Sequence, residues 1–125
     1  MQIKSLTIYC SSSDKLSQNY YKLAEEIAIF LAKKSVKIIY GGGKTGLMGK
    51  ISKCSTKAGG KVIGIIPKIL LSKEKINFNI YKTIIVKDMS IRKKKLFSMG
   101  DAYLILPGGS GTIEEAAEII SWKIL

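Results

Sequence analysis

The sequence predicts an α/β fold in which helices cover both faces of a mainly parallel sheet, a three-layer αβα arrangement. Three observations carry that expectation. Short apolar runs alternate along the chain with stretches of helical period, the order that strand–helix–strand units require. Two of these runs end directly in glycine-rich turns that open into helices, Gly41 to Gly46 and Gly108 to Gly111; in open parallel sheets such turns gather at the carboxyl ends of the strands. The 125 residues, 46% of them hydrophobic, suffice for one domain, 1–125, that buries about two-thirds of its unfolded surface. No linker, internal repeat or low-complexity tract divides it.

Residues 3–9 read as the first strand. Tyr20, Leu23, Ala24, Ile27, Phe30 and Leu31 then recur at helical spacing and predict a helix over 16–33. Residues 36–40 return to strand, the Gly41–Gly43 turn leads into a helix over 46–58, and strand 61–66 ends at Pro67. The chain is less regular through Asn79. Strand 81–86, a helix over 89–99, strand 101–106 and a last helix from Thr112 complete a Rossmann-like order of elements.

Composition removes several chemistries. No histidine occurs, which excludes a serine–histidine–acid triad, a cysteine–histidine pair, an HExxH zinc site and a histidine general base. Acid–base work falls mainly to nine carboxylates: Asp14, Glu25, Glu26, Glu74, Asp88, Asp101, Glu114, Glu115 and Glu118. Cys10 and Cys54 are far apart and form no CxxC, so each reads as a buried, reduced thiol rather than a disulfide or metal ligand. The first strand lacks the pattern of a signal peptide, and no apolar run approaches the ~18 residues of a membrane helix. A cytoplasmic location is expected, with no membrane partner.

The net charge of +12 favours anionic ligands and speeds their arrival. Lysines are spread along the whole chain, and the one dense run, Arg92-Lys93-Lys94-Lys95, carries no recognition motif and no interleaved aromatics, so the surplus reads as a solvated basic surface rather than a nucleic-acid interface. Arg92 is the single arginine among 21 basic residues. A guanidinium grips phosphate or carboxylate with a rigid fork, although by count alone an exposed arginine among lysines is the preferred reading.

The stretch Leu104 to Glu115 joins an apolar strand to a helix through a glycine turn. Gly108, Gly109 and Gly111 remove side chains that would keep a ligand off the backbone. The unpaired N–H groups of the following helix start, with the positive end of its dipole, suit a phosphate. Thr112 adds a hydroxyl, and Glu115 lies one turn inside the helix, where it faces such a ligand. A tight strand-to-helix connection with ordinary helix-start acids gives the same pattern, and both readings stand on local pattern alone. Gly41 to Gly46 satisfies GxGxxG, but no acid follows about 20 residues on to hold a ribose diol. A Walker loop would need glycine where Ile38 stands. A nucleoside monophosphate fits better than a dinucleotide or triphosphate. Ser11, Ser12 and Ser13 read either as a capping turn or as a third loop of the same pocket.

Pro107 to Glu115 resembles the PGGxGTxxE signature of the LOG (Lonely Guy) family, cytokinin-activating nucleoside 5′-monophosphate phosphoribohydrolases. Tyr40 to Gly49 resembles the family's YGGGxxGLMG segment, Val62 to Pro67 its VIGVIP strand, and Asp88-Met89 with Arg92-Lys93 its DMHxRK helix start. The resemblance implies hydrolysis of the N-glycosidic bond of adenosine 5′-monophosphate or an N6-substituted relative to free base and ribose 5-phosphate, by a homodimer and with no metal or organic cofactor. It implies Arg92 and Glu115 as catalytic residues, the carboxylate serving an oxocarbenium-like state as in glycosidases. Ser12, Gly42, Gly43, Met89, Lys93, Gly108, Gly109, Ser110, Gly111 and Thr112 are implied to bind substrate and its phosphate, and Glu74 to face the base. Ser90 and Ile124 depart from the histidine and glutamine usual at their positions. Members continue well beyond the tryptophan that matches Trp122, so the fold is expected to lack the family's last strand and helix. Older labels call such relatives lysine decarboxylases, yet the chain offers no pyridoxal-binding signature. The alternative is a non-catalytic nucleotide-binding or cofactor-carrying protein on the same scaffold; the presence of both Arg92 and Glu115 argues for the hydrolase.

Overall fold

The computed structural model describes residues 2–13, 15–73, 75–107 and 110–124. In chain order these form β1 (Ser5–Tyr9), α1 (Gln18–Lys33), β2 (Lys37–Tyr40), α2 (Gly46–Lys57), β3 (Val62–Pro67), a short 3-10 turn (Lys68–Leu70), β4 (Lys82–Val86), α3 (Met89–Met99), β5 (Ala102–Ile105) and α4 (Ser110–Ile124). The five strands make one sheet in the order β4-β3-β2-β1-β5, every neighbouring pair parallel. The chain steps outward from β1 to β4 and then returns to place β5 on the other side of β1. That reversal creates a crevice at the carboxyl ends of β1 and β5, where open α/β sheets bind ligands.

Alternation along the strands divides the core between two faces. Ile8, Ile38, Tyr40 and Val62 pack with Ala24, Ala28 and Leu31 of α1 and Leu47 and Ile51 of α2. Tyr9, Ile39, Ile63 and Ile65 pack on the opposite face with Leu96 of α3 and Ile119 of α4. Helices therefore cover both faces, as the sequence predicts. On the second face Phe97 stacks on Tyr103 at 5.2 Å and meets the edge of Trp122 at 4.7 Å.

Side chains latch the loops to the sheet. The Asp101 carboxylate accepts hydrogen bonds from the backbone N–H groups of Lys4 at 2.8 Å and Ser5 at 3.1 Å, which hold it below the ordinary carboxylate range. Thr7 Oγ1, fully buried, donates to the carbonyl of Leu96 at 2.6 Å. Asp88 caps α3 by accepting from Ile91 N at 2.9 Å, the role expected of Asp before a helix.

The departures from expectation are local. β1 begins at Ser5 and α1 at Gln18, while α4 starts two residues earlier than predicted, at Ser110. The irregular stretch before β4 is anchored rather than loose: Ile76 forms an antiparallel bridge with Gly43, Lys44 N donates to Lys75 O, and Asn77 N donates to Gly42 O. Cys10 is buried as expected, but Cys54 is only half-buried, because its place on α2 leaves it partly outside the packed face; both are free thiols. Among the described residues no helix is long and apolar enough to cross a membrane.

Candidate active site

The carboxyl ends of β1 and β2 converge on a small cavity of about 40 Å³, lined by Ile8, Tyr9, Cys10, Gly41, Met48, Arg92, Leu96 and Glu115. Its chemical content is one guanidinium and one carboxyl. Arg92 stands in the first turn of α3 and is 7% exposed. Nε donates to the carbonyl of Ile65 at 3.0 Å and Nη2 to the carbonyl of Gly41 at 2.8 Å, while Nη1 lies 3.9 Å from Met89 Sδ. Two neighbouring strands thus present backbone oxygens to a single side chain, and the planar fork is fixed against rotation. A lysine with one head group could not hold both oxygens in that geometry.

Glycine makes this seat possible. A Cβ on Gly41 would come within 2.4 Å of Arg92 Nη2. Gly42 has φ +86°, and a Cβ there would lie 2.5 Å from Cγ1 of Ile66, so both space and backbone conformation require glycine. The loop is then pinned. Tyr40 Oη donates to Gly43 O at 2.9 Å, and burial pushes that phenol up to about 12, with its bond to Ser52 acting in the opposite direction. Thr45 Oγ1 donates to Ser12 O at 2.8 Å, and Met48 N donates to Ser11 O at 3.2 Å, which stitches the loop after β1 to the loop after β2.

Glu115 enters from α4. Burial raises its carboxyl above the ordinary glutamate value, the charges of Arg92 and Lys93 oppose the rise, and Glu114 and Glu118 add to it. Burial followed by the nearby Glu115 charge pushes the Cys10 thiol up to about 12, and the same two causes lead those that hold the Tyr9 phenol well above its usual value. Both stay protonated, and the cavity wall is neutral except at Arg92 and Glu115. A positioned cation opposite a carboxyl in a largely desolvated setting can orient an anionic ligand and meet developing positive charge.

The remaining sequence-predicted residues distribute around this centre. Ser12, Gly42 and Gly43 sit in the two stitched loops, and Met89 is half-exposed beside Arg92. Ser110 and Gly111 form the first turn of α4. Thr112 is buried and lines a neighbouring apolar groove of about 440 Å³ with Ile105, Leu106, Pro107, Ile113 and Ala116, not the Arg92–Glu115 cavity. Lys93 is engaged by Glu114 and, at 3.2 Å, by Glu118. Gly108, Gly109 and Glu74 lie outside the described residues. Sequence reasoning missed Gly41 as the seat of the guanidinium and Tyr9, Cys10 and Met48 as cavity wall. For Tyr9, Cys10 and Gly41 the position at or just after a strand end was the available signal; Met48, in the first turn of α2, had only its place behind the first glycine turn.

Comparison with known proteins gives three findings. The family model described as possible lysine decarboxylase matches residues 48–125. Over 124 residues, 99% of this chain, a cytokinin riboside 5′-monophosphate phosphoribohydrolase of Arabidopsis thaliana is 38% identical, and a probable enzyme of the same name from Oryza sativa subsp. japonica is 36% identical. The chain spans 54% and 50% of their lengths, about half of the curated relatives it matches. Among solved structures, the molybdenum cofactor carrier protein of Chlamydomonas reinhardtii superposes with a TM-score of 0.82 over 98% of this chain and 73% of that one, at 20% identity. The molybdenum cofactor binding protein of Rippkaea orientalis gives 0.81 over 98% and 74%, at 19% identity. At these identities the likeness is one of fold.

Proposed function

The chain belongs to the family described as possible lysine decarboxylases, within which it is similar to the LOG phosphoribohydrolases, and from that membership we propose that it hydrolyses the N-glycosidic bond of adenosine 5′-monophosphate or an N6-substituted relative. Water adds across the bond, giving free base and ribose 5-phosphate. The observation that carries the reading is the meeting of Arg92 and Glu115 in one cavity at the strand ends. As the bond to the base breaks, positive charge develops at the anomeric carbon; an ionised Glu115 stabilises it and takes the proton of the attacking water. Arg92, fixed by the carbonyls of Ile65 and Gly41, positions the nucleotide and balances charge. The loop at Gly41–Gly43 and the start of α4 at Ser110, Gly111 and Thr112 cradle the phosphate, with Ser12 and Met89 beside them. The reading extends to a homodimer working in the cytoplasm.

The carrier reading has the fold likeness alone in its favour, and a carrier has no need of a half-buried carboxyl facing an arginine. Chromatography decides between them: incubate the chain with AMP and with N6-isopentenyl-AMP, alongside Glu115→Gln and Arg92→Ala. Base release by the parent and its loss in both variants is expected. Binding of AMP by all three with no release by the parent would leave a nucleotide-binding protein.

A further inference from the structure

We infer that Lys93 is a positioning residue, which joins α3 to α4 through Glu114 and Glu118 and so sets the Glu115 carboxyl against the Arg92 guanidinium. The inference deepens the hydrolase reading and rests on it. Lys93 directly follows Arg92 in α3, and its Nζ donates to Glu114 Oε1 and to Glu118 Oε1, the latter at 3.2 Å. Glu114 and Glu118 are four residues apart on α4, one above the other on a helix face, and Glu114 immediately precedes Glu115. Lys93 thus forms an ion-pair network between α3 and α4. The Lys93 and Glu118 side chains are 23% and 33% exposed and Glu114 is 57% exposed, so the Glu118 arm is the better sheltered from screening.

The same geometry argues against Lys93 as a phosphate contact. An ammonium has three donors, and two of them serve carboxylates on α4. A phosphate brought to Nζ would meet both carboxylates, and like charges in close juxtaposition repel. Apolar contacts of Ile119 with the Leu96 cluster and of Trp122 with Phe97 hold the C-terminal part of α4, and the anchored pair adds a polar tie at the turn of α4 that carries Glu115. Arg92 is tied to the sheet by two carbonyls, so this tie tunes the distance from guanidinium to Glu115.

The groups facing Glu115 are Arg92 and Lys93 from α3, Glu114 and Glu118 from its own helix, and Tyr9 and Cys10 at the end of β1. Lys93→Met removes one cation and leaves two carboxylates uncompensated, so Glu115 would titrate at higher pH. The test uses the full chain with Lys93→Met, Lys93→Arg and Glu118→Gln, read by kinetics on AMP and by carbon NMR titration of labelled glutamates, assigned with Glu115→Gln. Lys93→Met is expected to lower kcat about 10- to 100-fold with KM held within about twofold, and to move the Glu115 titration upward. Lys93→Arg should restore both.

A rise in KM with kcat and the Glu115 titration unchanged would make Lys93 a ligand contact and overturn the proposal. The titration needs no turnover. If the parent releases no base the hydrolase reading fails; the positioning role then stands if Lys93→Met also shifts the Nε resonance of Arg92, the single arginine, and falls if the Glu115 titration moves alone or nothing moves. Should Lys93→Met not fold, Glu118→Gln decides: a lower kcat at unchanged KM is expected, and parent-like kcat overturns the inference.

Discussion

Arg92 Nη2 donates to the carbonyl of Gly41 at 2.8 Å, on the side of that residue where any other amino acid would carry its Cβ. An added methyl would meet Nη2 at 2.4 Å and Met48 Cε at 2.9 Å. The Met48 end can swing away, but the guanidinium is also held by Ile65 O and cannot move without breaking a bond. Gly41→Ala is therefore expected to displace the charge by a fraction of an ångström or more and lower kcat/KM for AMP by about 100-fold, the cost of misplacing a catalytic group by ~1 Å. Unchanged kcat/KM in a folded Gly41→Ala protein would show that the guanidinium position is not critical.

Arg92 is also structural. Removing it leaves the carbonyls of Ile65 and Gly41 without their side-chain donor in a buried setting, and each unsatisfied group costs about 1–3 kcal/mol. Urea denaturation of Arg92→Met should show a loss of about 2–6 kcal/mol on that basis. Arg92→Lys keeps the charge but reaches only one oxygen, so its stability should fall between the two while base release stays near that of Arg92→Met. Parent-like stability in Arg92→Met would mean that those carbonyls find other partners.

The order of elements and the alternation of apolar strands with amphipathic helices were legible because they are local periodicities; the strand order β4-β3-β2-β1-β5 was not, since it is set by pairings between distant segments. Arg92 was legible for a different reason, the family motif it shares with Asp88, Met89 and Lys93; its isolation among lysines alone favoured an exposed side chain. What sequence could not show is what depends on distant partners. Asp101 bonds to backbone 97 residues away, and the bridge between Ile76 and Gly43 involves one residue of a segment with no strand pattern. Lys93 matched a family motif and invited a ligand role, yet its ion pairs with Glu114 and Glu118 span 21 and 25 residues, a contact no periodicity reveals. Asp88 is the exception, since an acid just before a helical run is itself a cap signal.

Tyr40 ties the first glycine loop to the core through its bond to Gly43 O. Tyr40 is fully buried, so Tyr40→Phe preserves the packing and deletes one hydroxyl, leaving a buried acceptor short of its partner. A loss of about 1–2 kcal/mol is expected in urea. Because Gly43 belongs to the proposed phosphate loop, KM for AMP should rise while kcat changes little. Equal KM in parent and variant would separate this bond from ligand binding.

Glu115 links activity and stability with opposite signs. Burial is the first cause of its raised titration, and the proposed chemistry needs the ionised form, so the acid limb of kcat should lie above the ordinary glutamate value of about 4.3. The folded state favours the protonated carboxyl, so the stability this group contributes is fully present below the unfolded value and lost as pH rises through the folded one. Above its folded value the parent therefore carries an ionised, half-buried carboxylate that costs stability. Glu115→Gln, a neutral side chain of the same shape, should abolish base release yet melt at a higher temperature than the parent at pH 7. That gain should shrink as pH falls through the folded value and vanish below the unfolded one, where the parent's carboxyl is protonated in both states. Melting curves across pH 4 to 8 check it. A variant that melts lower than the parent at pH 7 would show instead that Arg92 and Lys93 outweigh burial, and that the carboxylate is held for stability as well as for catalysis.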